Sequence, residues 1–205
     1  MGRRHFARLW RDELLIGRRA FVAGTIALIT PSLFAAKSFP PPKVGAIRWP
    51  GHGGDLHGFM AVPAKAHGPQ PAVLVLPDAG ADPFALGLTD ALALAGFVAC
   101  VAKAPLTFEA ATATLQWLGT NPYATGKVGI VGIGAGAAMA QHIAAAGLLA
   151  CAVLFDGKDD PAGDVVLHLP MLTATKDALR YEAEWRQAIA FLAQHLHPDH
   201  TGSSR

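Results

Sequence analysis

The chain has 205 residues, 52% hydrophobic and 16% charged, with a formal net charge of +2 and a mean hydropathy of +0.32, which suits one domain with a sizeable core. The charge is uneven: residues 1–19 hold six arginines against Asp12 and Glu13, whereas the rest holds 11 Lys or Arg against 13 Asp or Glu. The body therefore has no basic face for nucleic acid, and that class of partner is excluded.

At the N-terminus, Gly17-Arg18-Arg19-Ala20-Phe21 leads into an apolar run from Ala20 to Ala36, followed by Lys37 and the stiff linker Pro40-Pro41-Pro42. The arginine pair, the aromatic residue behind it and the modest hydrophobicity resemble a twin-arginine export signal, which implies a periplasmic location for the body. Phe34 is bulky where a cleavage site wants a small residue. Phe6, Leu9, Trp10 and Leu14 share one helical face beside Arg4, Arg8 and Arg11, as expected of a segment lying on a membrane surface. Residues 1–38 are thus expected to be an export signal or an uncleaved anchor, with residues 1–36 holding the inner membrane. Residues 39–205 form the domain.

Within that domain strand and helix signals alternate. Ala46–Trp49 and Leu56–Val62 read as an opening hairpin turning at Gly51–Gly54, and Pro63–Pro71 as a polar loop. Ala72–Leu76 is an apolar run suited to a strand covered on both faces. Ala85–Ala95 reads as a helix stopped by Gly96, and Phe97–Ala102 as the next buried strand. The helix Phe108–Leu118, the strand Val128–Val131 and the helix Gly134–Ala146 follow. Ala150–Phe155 and Val165–Leu172 are strands. Tyr181–His195 is a closing helix with apolar positions at Trp185, Ile189, Leu192 and Leu196. The tail after His197 reads as disordered. Such alternation predicts an α/β fold, a mostly parallel sheet with helices on both faces and ligands at the carboxyl ends of its strands. Cys100 and Cys151 sit in apolar strands and are expected to be buried free thiols.

The order of these segments resembles the dienelactone hydrolase family of the α/β-hydrolase superfamily. Leu56–Pro63 matches the family's opening hairpin, Pro71–Gly80 its third strand and following loop, and Leu94–Val98 a helix-to-strand junction. Lys127–Ala140 matches the strand, nucleophile elbow and helix, and Asp156-Gly157 a position where the family often has Tyr-Gly. Leu169–Leu172 followed by Asp177 matches the acid-bearing strand and loop. The resemblance covers about 150 residues. It implies an α/β-hydrolase fold, with the nucleophile position at Gly134 and the acid position at Asp177. The elbow requires glycine at both ends, supplied by Gly132 and Gly136. At Gly134, however, there is no side chain to attack a carbonyl. No histidine stands before His195 where the family places its base, and the segment after Pro105 is short, so the cap is reduced. Asp177 is either a site acid or a helix cap.

What the resemblance leaves is backbone. The N–H of Ala135 and the loop Asp78-Ala79-Gly80-Ala81 correspond to the oxyanion hole. They imply a pocket for a small ligand carrying a carbonyl or carboxylate, with Asp78 as one wall or as a turn former. The function expected is binding, of such a ligand or of a membrane-complex partner, with triad hydrolysis lost. Two alternatives stay open. One is an active ester or lactone hydrolase with another nucleophile, such as Thr173 or Thr175 near Asp177. The other is dinucleotide binding through Gly132, Gly134 and Ala137, with Asp156 on the ribose. No cofactor is implied by the leading reading. His195, His197 and His200 cluster without a rigid geometry, so no metal site is expected.

Overall fold

A computed structural model describes residues 40–51, 53–155, 165–169 and 178–197, with side chains from residue 183 onward in the last stretch. The export or anchor segment, Asp156, Thr173, Thr175, Asp177, His200 and the tail lie outside the described residues. The elements in chain order are β1 (Lys43–Gly51), β2 (Gly54–Val62), β3 (Gln70–Leu76), α1 (Pro83–Leu94), β4 (Val98–Ala102) and α2 (Phe108–Gly119). They continue with β5 (Ala124–Ile133), α3 (Ala135–Ala145), β6 (Cys151–Phe155), β7 (Val166–Leu169) and α4 (Ala178–Leu196).

The described strands form one seven-stranded sheet in the order β1-β2-β4-β3-β5-β6-β7. β1 pairs antiparallel with β2, and β2 with β4. From β4 to β7 all neighbours run parallel. Side chains alternate across the sheet, so each parallel strand feeds two cores. Val73, Val75 and Val153 pack with Leu88 and Leu92 of α1 and Leu192 and Leu196 of α4. Leu74, Ile130 and Leu154 pack with Leu115 and Leu118 of α2 and Ala140 and Ile143 of α3. Burial on both faces explains why these strands read as continuous apolar runs.

The hairpin is tied to this body through Trp49, which is 1% exposed. Its Nε1–H donates to Thr114 Oγ1 on α2 at 2.9 Å, and its ring stacks on Trp117 with centroids 5.4 Å apart. Thr114 in turn donates to the Ala110 carbonyl at 2.7 Å, so the buried hydroxyl is satisfied in both roles.

Each sequence-predicted element is present, with shifted ends. β5 begins at Ala124 rather than Val128, because Ala124 pairs with Gln70 across an irregular register. Ala-Thr-Gly-Lys carries no periodic signal for that extension. Only residues 103–107 separate β4 from α2, with Thr107 capping the helix through the Ala110 N–H at 3.2 Å, so no helical excursion stands there. The expected strand Val165–Leu172 is seen as Val166–Leu169, and the rest lies outside the described residues. Among the described residues no helix is long and apolar enough to cross a membrane.

Cys100 and Cys151 are free and buried. Two strands separate β4 from β6, and the thiols face opposite cores. Burial pushes both thiols up to about 12. Folded protein at pH 8 is therefore expected to resist iodoacetamide at both positions, since the thiolate is the reactive form. After denaturation without reductant, mass spectrometry should show both alkylated. A requirement for reductant would contradict this strand order.

Candidate functional site

The strand order reverses at β3. The chain passes from β3 through α1 to β4 on one side, then returns through α2 to β5 on the other. Crevices at the carboxyl ends of strands flanking such a switch are where doubly wound sheets bind ligands. Here the register pairs Leu76 of β3 with Gly132 of β5. Asp78 and Gly134 each lie two residues further along, so the two strands deliver them to the same place.

The turn from β5 into α3 takes a single residue. Gly134 adopts φ 56° and ψ −118°, and Ala135 already begins the helix. That positive φ is a region other residues enter only under strain. Its flanking glycines are required by space. A Cβ on Gly132 would stand 2.6 Å from Ala137 Cα and 2.7 Å from the Gly136 carbonyl oxygen. A Cβ on Gly136 would collide with the Leu76 carbonyl. Both obstacles are backbone and cannot swing aside. These contacts hold α3 against β3 and β5, and they give the Gly132–Gly136 segment the geometry of a nucleophile elbow.

The space above Gly134 is not empty. The Asp78 carboxylate accepts a hydrogen bond from the Ala135 N–H. A Cβ added to Gly134 would collide with both carboxylate oxygens and lie 2.6 Å from Asp78 Cγ. Asp78 itself is exposed. Its loop is fixed from behind. Gly80 takes φ 83°, and a Cβ there would lie 2.6 Å from the Lys103 carbonyl oxygen. The Asp82 N–H donates to the Gly80 carbonyl at 2.7 Å, and Asp82 Oδ1 caps α1 by accepting from the Ala85 N–H at 2.7 Å. The structure thus brings together Gly134, Ala135 and Asp78 of the sequence-expected site residues, with Ala79 exposed and Gly80 buried in the adjoining loop.

Other candidates are placed elsewhere. Ring Nδ1 of His195 lies 2.9 Å from its own helix's Phe191 carbonyl, and its ring packs on Phe191 at 4.2 Å. His197 lies against Phe97. Among the described residues no group of His, Cys, Asp or Glu could hold a metal. Any anion at the N-terminus of α3, a dinucleotide pyrophosphate or a carboxylate alike, would meet the Asp78 carboxylate there.

One residue passed over in the sequence is His168 on β7. Both its ring nitrogens are buried and have no hydrogen-bond partner among the described residues. It pairs in register with Leu154, and neighbouring Val166 packs in the α2/α3 core. Alternation along a four-residue strand gives no warning of an imidazole on that face.

No protein-family model matches the sequence, and no curated protein matches it. Solved structures do. A dienelactone-hydrolase-like promiscuous phosphotriesterase from metagenomic libraries is similar over 77% of this chain and 100% of its own, with a TM-score of 0.63 and 18% identity. A putative dienelactone hydrolase from Klebsiella pneumoniae is similar over 76% and 100%, with a TM-score of 0.63 and 14% identity. For the dienelactone hydrolase from Anabaena variabilis the values are 77%, 100%, 0.58 and 16%. At these identities the likeness is one of fold. The chain has the α/β-hydrolase fold.

Two variants test the packing around this site. Gly136→Ala is expected to lower stability by about 3 kcal/mol or more in urea titrations, because backbone must move. Gly45→Ala, where an added Cβ meets nothing within 4 Å, should stay within about 0.5 kcal/mol of the parent. His168→Leu removes two buried nitrogens that have no partner among the described residues, and it is expected to raise stability by about 1 kcal/mol in the same titration.

Proposed function

We propose that this protein is an exported α/β-hydrolase-fold protein of dienelactone hydrolase type that has given up triad hydrolysis and acts by binding. One observation carries the reading. The elbow position that should present a nucleophile is Gly134, and the volume a nucleophile needs is held by the Asp78 carboxylate. With glycine at 134 the turn carries no hydroxyl or thiol to attack a carbonyl. The ligand class that the Ala135 N–H at the start of α3 supports is a small molecule with a carbonyl or carboxylate, or a partner presenting one. The paired Arg18 and Arg19 before an apolar run support export to the periplasm, with the N-terminal segment retained at the inner membrane.

The test is turnover. The purified full chain, assayed with p-nitrophenyl acetate and an enol-lactone, is expected to match a heat-treated control. Hydrolysis clearly above that control, and lost in Asp177→Ala, would overturn the binding reading in favour of a non-standard nucleophile. For export, Arg18→Lys with Arg19→Lys should leave the protein in the cytoplasm of fractionated cells, and normal export of that variant would remove the twin-arginine reading.

A further inference from the structure

The Asp78 side chain touches two things at once: the N–H donor of Ala135 and the volume beside Gly134. Each contact has its own physical cause. The first turn of α3 has backbone N–H groups with no partner inside the helix, and the positive end of the helix dipole favours an anion there. Among the N-caps, Asp82 and Thr107 serve their helices through their own side chains, whereas the N-cap of α3 is Gly134, which makes no side-chain cap bond. At α3 the carboxylate comes from outside the helix, from Asp78 in the loop behind β3. The second contact is steric. A Cβ at residue 134 and the Asp78 carboxyl claim the same place.

We propose that Asp78 is the resident anion of this oxyanion hole, an internal competitor that decides what the pocket accepts. Gly134 and Asp78 are then a coupled pair: the carboxylate can sit on the Ala135 N–H because residue 134 has no side chain. A ligand carboxylate or carbonyl reaches the donor only when Asp78 swings out, and a ligand anion also meets its charge. Asp78 is exposed and reaches the hole by its side chain alone, so exchange needs a rotamer change rather than a movement of the fold. The proposal deepens the binding reading above and rests on the same elbow, but it makes a claim about Asp78 that turnover assays do not touch.

The experiment follows the Ala135 amide in ¹H–¹⁵N spectra of the full chain titrated with sodium acetate, against sodium chloride at matched ionic strength. In Asp78→Ala the amide should shift saturably, with a half-point about tenfold or more below that of the parent, because an occupied hole lowers apparent affinity by the fraction of time it is free. Equal half-points, or an Ala135 amide that ignores acetate in the variant, would overturn the proposal. Should Asp78→Ala fold poorly, Asp78→Asn keeps the volume and removes the charge, and it should bind acetate between the two. A second arm measures urea unfolding of Gly134→Ala in the parent and in the Asp78→Ala background. The substitution is expected to shift the folding equilibrium about tenfold more in the parent, as touching residues do. Equal shifts would show that the two residues do not share the space. Hydrolysis by the parent would refute the binding reading while leaving both arms readable.

Discussion

The close approach of α3 to β3 and β5 sets the rest of this structure. No side chain can stand between them at Gly132 or Gly136, because a Cβ at either would meet backbone. With the helix pressed that near, the chain has one residue in which to turn from strand to helix, and its dihedrals follow. The turn then points the helix N-terminus at the carboxyl end of β3. Whatever follows Leu76 must cross in front of it.

That geometry serves an enzyme by pairing a side chain on the turn with an N–H behind it. Here the turn and the N–H have different neighbours. The turn residue contributes only backbone, and the neighbouring strand contributes a carboxylate that the helix end holds. The scaffold remains intact around the turn. Parallel strands β4 to β7 keep both cores continuous, and the Trp49 contacts to Thr114 and Trp117 close the hairpin end.

Much of the fold was legible because buried parallel strands write themselves as apolar runs. Ala72–Leu76 and Cys151–Phe155 are buried throughout. Gly96 and Gly147 ended helices where positive φ is required, and both take it. The sharp turn between β5 and α3 was marked through the family resemblance, which placed Gly132, Gly134 and Gly136 on it. What stayed hidden depends on three-dimensional juxtaposition. Asp78 stands 56 residues before Gly134, and only the Leu76–Gly132 register brings them together. From sequence it was a wall or a turn former. His168 stayed hidden for a different reason. A short edge-side strand offers too few alternations to say which face a polar residue takes. The segment carrying Asp177 lies outside the described residues, so the acid position rests on the sequence pattern.

The dihedrals of Gly134 have one further meaning. A working elbow forces a residue with a Cβ into φ 56°, ψ −118°, and backbone held in such a region stores on the order of 1–3 kcal/mol. Glycine enters the same region without a Cβ to object. With glycine at position 134 the turn keeps its shape without that strain. Trades between activity and stability usually run through strained active sites. In this chain a turn of that shape adds no such strain, so the single residue between β5 and α3 costs the fold little.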